Sequence, residues 1–153
     1  MTEPQTLILL VEDDPGHARL IEKNLRRSSV TCEIVTLTDG HQVLDYLFAD
    51  RKAAESAGTV VLLDLNMPGL SGYQVLQRLK AHERTRFIPI VILTTTDDSA
   101  EIKRCYDLGC NAYVTKPVDY EQFSEMIHRL GLFLTIMRAP EGCARGAQGD
   151  VKS

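Results

Sequence analysis

At 153 residues, 44% hydrophobic and 25% charged, with no Trp, the sequence has the make-up of one globular domain that buries a continuous core without disulfides or a structural metal. A net charge of −4 offers nothing to nucleic acid or an anionic membrane, and no stretch reaches the ~18 uninterrupted apolar residues of a membrane span. The polar start MTEPQT is unlike a signal peptide, and Cys32, Cys105, Cys110 and Cys143 show neither CxxC pairing nor a His set at metal-ligand spacing, which predicts reduced thiols in a cytoplasmic protein.

In chain order, residues 7–11 form an apolar run of the kind that is buried on both faces of a sheet, and the run ends on Glu12, Asp13 and Asp14. Asp14 followed by Pro15 reads as an N-cap and first helical position, opening a helix with an inward stripe of Ala18, Ile21 and Leu25 and with Arg26 and Arg27 in its last turn. Residues 32–37 alternate imperfectly, as an edge strand does. Asp39 and Gly40 open a second helix with Val43, Leu44, Leu47 and Phe48 turned inward, and the polar and small residues 49–58 read as a helix extension or a surface loop.

Residues 60–63 are a second doubly buried run, ending on Asp64. Pro68, Gly69 and Gly72 break the pattern, so Asp64 is expected at the carboxyl end of a central strand, the edge where open α/β sheets bind ligands. Ser71 caps a third helix that buries Val75, Leu76 and Leu79, and residues 82–86 read as a solvated connection. Residues 88–93 form a fourth buried strand that ends on Thr94, Thr95 and Thr96. Asp98 with Glu101 reads as a capping box for a fourth helix that stops at Gly109. A short fifth strand, 112–115, ends on Lys116 and Pro117. Asp119 caps the last helix, with a stripe of Tyr120, Phe123, Ile127, Leu130 and Leu134.

Strands alternating with helices predict a flavodoxin-like α/β fold, a doubly wound five-stranded parallel sheet of order 2-1-3-4-5 with helices on both faces. Residues 1–138 form the domain, and 139–153, Gly-rich and poor in apolar groups, a flexible tail without an output module.

A parallel sheet brings its strand ends to one edge, so Glu12, Asp13 and Asp64 converge. Three carboxylates in one cleft repel one another unless a cation sits among them, and oxygen ligands with room for water favour Mg²⁺. Lys116 and the Thr94 hydroxyl would surround an anion placed on Asp64, the requirement for phosphoryl transfer to a carboxylate.

The set VEDDP, LLDLNMPGLSG, ILTTT and AYVTKP resembles the receiver domain of bacterial two-component response regulators over residues 7–130. That resemblance implies that Asp64 is the phosphoacceptor, fed by a sensor histidine kinase. It implies Mg²⁺ held by Asp13, Asp64 and the backbone carbonyl of Asn66, with Glu12 completing the pocket through a water. It also implies that Thr94 and Lys116 are the switch hydroxyl and lysine, that the Tyr113 rotamer follows the switch, that Lys116–Pro117 is cis, and that Asn66 and Thr96 influence how fast the phosphoryl group is lost. The longer stretches VEDDPGHARLIEKNL and LTTTDDSAEIKRCYDLGCNAYVTKP resemble more narrowly the single-domain regulators paired with bacterial phytochrome kinases.

Plainer readings stand beside these. Asp14 is explained by its cap, Tyr113 equally by an edge-strand aromatic, and His17, His41, His82 and His128, which share no metal-like spacing, by solvated or structural roles; His17 lies near the pocket mouth. A pseudo-receiver that never takes phosphate is an alternative. So is an aspartyl-phosphate phosphohydrolase resembling the haloacid-dehalogenase type, although Asn66 stands where such enzymes carry a second acid. Leu132, Phe133, Leu134, Ile136 and Met137 exceed what one core face needs, which suggests burial against a partner or back onto the domain. With the resemblance, this surplus predicts a homodimer through the fourth helix, fifth strand and fifth helix, with Phe133, Ile136 and Met137 at the interface.

Overall fold

The computed structural model describes residues 6–27, 32–49 and 58–136. Five strands, β1 (Thr6–Val11), β2 (Cys32–Leu37), β3 (Thr59–Leu63), β4 (Ile90–Thr94) and β5 (Ala112–Thr115), alternate with five described helices. These are α1 (Pro15–Arg27), α2 (Gly40–Ala49), α3 (Gly72–Ala81), α4 (Ser99–Leu108) and α5 (Tyr120–Ile136). All strand pairs are parallel in the order β2-β1-β3-β4-β5, as the sequence predicts, and β2 is an edge strand.

The two buried runs owe their composition to the two faces they cover. Leu9, Val11, Val61, Leu63, Ile90 and Ile92 pack on one side against Val43 and Leu47 of α2, Val75, Leu76 and Leu79 of α3, and Cys105 of α4. Ile8, Leu10, Val60, Leu62, Val91 and Leu93 pack on the other against Ile21 and Leu25 of α1 and Phe123 and Ile127 of α5. Alternate residues of each central strand therefore serve alternate cores, and a polar residue at either phase would be buried.

Strand register sets the functional edge. Val11 pairs with Leu63, Leu63 with Ile92, and Thr94 with Thr115, so each chain leaves the sheet at nearly the same level. Hydrogen bonds just past the strands hold that alignment: Asp64 N–H donates to Val11 O at 3.1 Å and Lys116 N–H to Thr94 O at 2.6 Å.

The caps are local and explicit. Asp14 Oδ1 accepts from Gly16 and His17 N–H at 2.8 and 3.1 Å, and Ser71 and Gln74 form a reciprocal capping box at α3. At α4 the N-cap forms without the expected box: Asp98 accepts from the N–H of Ala100, not of Glu101, and Glu101 Oε1 is buried without a hydrogen-bond partner. Gly109 ends α4 at φ 109°, a left-handed turn that residues with a Cβ adopt only under strain.

Several expectations change at this level. The fourth strand begins at Ile90, after Pro89, which has no N–H to give a ladder. The connection 82–86 is not wholly solvated, because Thr85 is fully buried and its hydroxyl donates to Leu79 O at 2.6 Å. Lys80 Nζ, donating to Arg86 O and Ile88 O at 3.0 and 2.8 Å, ties the same connection to α3. Tyr120 is 61% exposed, so the inward stripe of α5 starts at Phe123. Residues 50–57, the residues from Met137 on, and the side chains of Phe133, Leu134 and Ile136 lie outside the described residues, and with them the expected interface residues. Among the described residues no helix is long and apolar enough to cross a membrane.

Candidate functional site

At the carboxyl edge of the sheet, β1 delivers Glu12 and Asp13, β3 delivers Asp64, β4 delivers Thr94 and β5 delivers Lys116. The structure brings all five together from separate motifs. One carboxylate oxygen from each of Glu12, Asp13 and Asp64 lies within 4.8 Å of the others. Glu12 and Asp64 are buried, whereas Asp13 is exposed at the rim.

Lys116, itself buried, threads between the two buried acids: its Nζ is 2.5 Å from Glu12 Oε1 and 3.2 Å from Asp64 Oδ2. The other Asp64 oxygen, Oδ1, accepts the Asn66 N–H at 3.0 Å, and Glu12 Oε2 accepts the Asp14 N–H at 3.2 Å. Asn66 also reaches the next strand end, its Nδ2 donating to the Oγ1 of the fully buried Thr94 at 3.2 Å. The sequence pointed to the backbone carbonyl of Asn66 and did not reveal this side-chain bond to the hydroxyl.

Burial is the largest influence on Glu12 and raises its pKa above the usual carboxylate value, Lys116 opposes the rise, and the negative charge of Asp64 adds to it. Three carboxylates therefore face one ammonium in a partly desolvated cleft. Their all-oxygen donor set and surplus negative charge fit a hard divalent cation, and no thiolate or imidazole belongs to the cluster.

Tyr113 is half-buried against the α2–α3–α4 core, and its hydroxyl donates to Thr96 O at 2.6 Å, tying β5 to the loop after β4. Burial first, then the negative potential of Cys105, Glu101, Asp97 and Asp98, pushes its phenol up to about 12. Since an unfolded tyrosine ionises near 10, the stabilising contribution of the neutral phenol is complete below that pH and is lost as pH rises through about 12. In an ultraviolet titration one of the five tyrosines is therefore expected to ionise about two units late, and Tyr113→Phe to remove that step.

Two expectations need revision here. Lys116–Pro117 is trans, since no cis peptide bond occurs among the described residues. The backbone bond from Lys116 to Thr94 and the exit from β5 already aim the lysine into the pocket, and the trans isomer is favoured by about 0.5–1 kcal/mol. His17, expected to be solvated or structural, has its Nδ1 3.3 Å from Lys116 Nζ. Its only sequence signal is its position in the helical turn that leads out of the acidic loop. His41 and His82 are exposed and His128 half-buried, all away from the acidic cluster, and Cys105 and Cys110 are buried free thiols raised by desolvation, Cys105 to about 11, in keeping with inert core fillers.

Fold and pocket together define a class: a doubly wound α/β module whose strand-end carboxylates and lysine form one cleft. Residues 8–128 match the response regulator receiver domain, and the chain belongs to that family of two-component signalling modules. It is similar to the response regulator receiver domain from Rhodospirillum rubrum, at 54% identity and a TM-score of 0.84, covering 89% of this chain and 98% of that one. It is also similar to the phosphorylated cyanobacterial phytochrome response regulator RcpA, at 33% identity and a TM-score of 0.80, covering 89% and 99%. The response regulator Rcp1 of Synechocystis is 31% identical over 133 residues, 86% of this chain and 90% of Rcp1. The Mn²⁺-bound structure of Rcp1 superposes with a TM-score of 0.77 over 88% of this chain and 99% of that one.

Proposed function

We propose that this chain is a cytoplasmic response regulator, residues 1–138 forming its receiver domain, in which Asp64 accepts a phosphoryl group from a sensor histidine kinase. The observation that carries the reading is the bridging of buried Asp64 and Glu12 by Lys116 at the open edge of the sheet. A strand-end carboxylate with a fixed cation beside it is equipped both to attack phosphorus and to bear the charge that results.

In the transfer, an Asp64 oxygen attacks the phosphorus of a phosphohistidine, the P–N bond breaks, and the donor imidazole keeps the electron pair. Lys116 then moves its hydrogen bond from Asp64 Oδ2 to a phosphoryl oxygen. Thr94 turns its hydroxyl toward the same group, giving up the bond from Asn66 Nδ2. Glu12, Asp13, Asp64 and the Asn66 carbonyl would hold Mg²⁺. When bound, the ion neutralises charge that develops on the phosphoryl oxygens. Loss of the Thr94 contact then biases the surface of α4, β5 and α5, to which Tyr113 is tied, and that surface carries the signal through a homodimer. Likeness to phytochrome response regulators supports a bacteriophytochrome as the kinase.

The reading is tested by phosphotransfer from an autophosphorylated bacteriophytochrome kinase: label is expected to pass to this chain with Mg²⁺ and not in excess chelator, and label that stays on the kinase in both would contradict it. The metal has its own signature. At Mg²⁺ about a hundredfold above its Kd the protein gains about 2.7 kcal/mol, seen by calorimetry as a raised Tm. Asp13→Asn should shrink that gain, because it removes one of the three converging carboxylates.

A further inference from the structure

We propose that His17 is a positioning residue for Lys116, a neutral imidazole whose Nδ1 accepts the ammonium's third N–H and fixes its place between Glu12 and Asp64. A lysine ammonium has three donors and no acceptor. Among the described residues Lys116 Nζ has three hydrogen-bonding neighbours: Glu12 Oε1 at 2.5 Å, Asp64 Oδ2 at 3.2 Å and His17 Nδ1 at 3.3 Å. A proton on Nδ1 would point it at a cation. The other group near that nitrogen, Asp14 Oδ2, is 3.9 Å away, too far for a hydrogen bond that would favour Nδ1–H. The geometry thus selects the tautomer with its proton on Nε2.

The imidazole is itself held. The backbone N–H of His17 donates to the Asp14 cap at 3.1 Å, and its ring meets the buried Phe123 ring of α5 edge-on, centroids 5.5 Å apart at 90°. His17 thereby joins the first turn of α1, the core side of α5 and the pocket lysine. Its acceptor is also the one uncharged group of the three. When a phosphoryl group draws Lys116 away from its carboxylate partners, the bond to His17 does not depend on the charge of the cluster.

The inference rests on the role proposed above for Lys116 only in its kinetic consequence, so the experiment reads contact and kinetics separately. In metal-free protein with ¹⁵N-labelled histidine at about pH 8, above the usual histidine range, the His17 ring is expected to show an unprotonated Nδ1 and a protonated Nε2. Lys116→Met should move the His17 Nδ1 resonance and leave those of His41 and His82 unmoved. A proton found on Nδ1 of the wild type, or a resonance indifferent to Lys116→Met, would overturn the inference. In the kinetic arm, His17→Phe keeps the packing on Phe123 but removes the acceptor, and the rate of phosphorylation by acetyl phosphate should fall about fivefold. His17→Asn, which sets an amide oxygen where Nδ1 lies, should restore most of it. Equal rates for Phe, Asn and wild type would overturn the positioning role. The expected resonances in a wild type that takes no phosphate would sustain the contact and refute the phosphoacceptor reading instead.

Discussion

Asp64→Asn protein, incubated with Mg²⁺ and acetyl phosphate or a phosphorylated kinase, is expected to take up no phosphoryl group while keeping its fold. An amide has no anionic oxygen to attack phosphorus, so the loss is complete rather than partial. The stability change should stay within about 1 kcal/mol, because the substitution removes one attraction and two repulsions at once. Lys116 keeps Glu12 at 2.5 Å and His17 at 3.3 Å, and an amide oxygen still accepts the Asn66 N–H now bound at 3.0 Å. Urea unfolding next to phosphate incorporation checks both halves, and incorporation into the variant would show that another residue is the acceptor.

The second large effect is steric. Gly72 opens α3 directly against the chain that carries Asp64, and its N–H donates to Leu65 O at 3.1 Å. A Cβ at this position would lie 2.5 Å from Asp64 O and 2.7 Å from Leu65 Cα, both backbone atoms that yield only if the strand end moves. Gly72→Ala should therefore cost about 2–3 kcal/mol, lowering Tm by roughly 6–10 °C, and slow phosphorylation, because α3 and Asp64 must part. Gly69→Ala is the control. Gly69 has φ 73° but nothing within 4 Å of an added Cβ, so its cost is only the left-handed backbone, about 1–2 kcal/mol, with Asp64 left in place. Calorimetry and phosphorylation rates on the two variants separate the effects. If Gly72→Ala phosphorylated at the wild-type rate, helix packing would not position Asp64.

Where sequence was informative, one residue type had one physical use. The runs before Glu12 and Asp64 are apolar at both phases because β1 and β3 are covered on both faces, and their abrupt acids mark the strand ends. Asp14, Ser71 and Asp98 announced their helices because a cap is settled within three residues. Contacts distant in sequence gave no such signal. His17 and Lys116 are 99 residues apart, and their meeting depends on how α1 packs beside α5, with the His17 ring against Phe123, while Lys116 reaches back from the end of β5 to the acids after β1 and β3. Thr85 was hidden in a polar run, although its hydroxyl finds Leu79 O only because the loop folds back on α3. Tyr120 failed for a different reason: it stands at the first position of α5, one turn before the helix meets the sheet. The cis bond expected at Lys116–Pro117 rests on likeness rather than on local chemistry, and the peptide is trans in the structure.

The most direct test of the account is to find the modified atom. Wild-type protein treated with acetyl phosphate and Mg²⁺, reduced with borohydride to trap any acyl phosphate, and mapped by peptide mass spectrometry should carry its single modification at Asp64. Omitting Mg²⁺ should abolish it. A modification at Asp13 or elsewhere, or an unmodified Asp64 in correctly folded protein, would contradict the account.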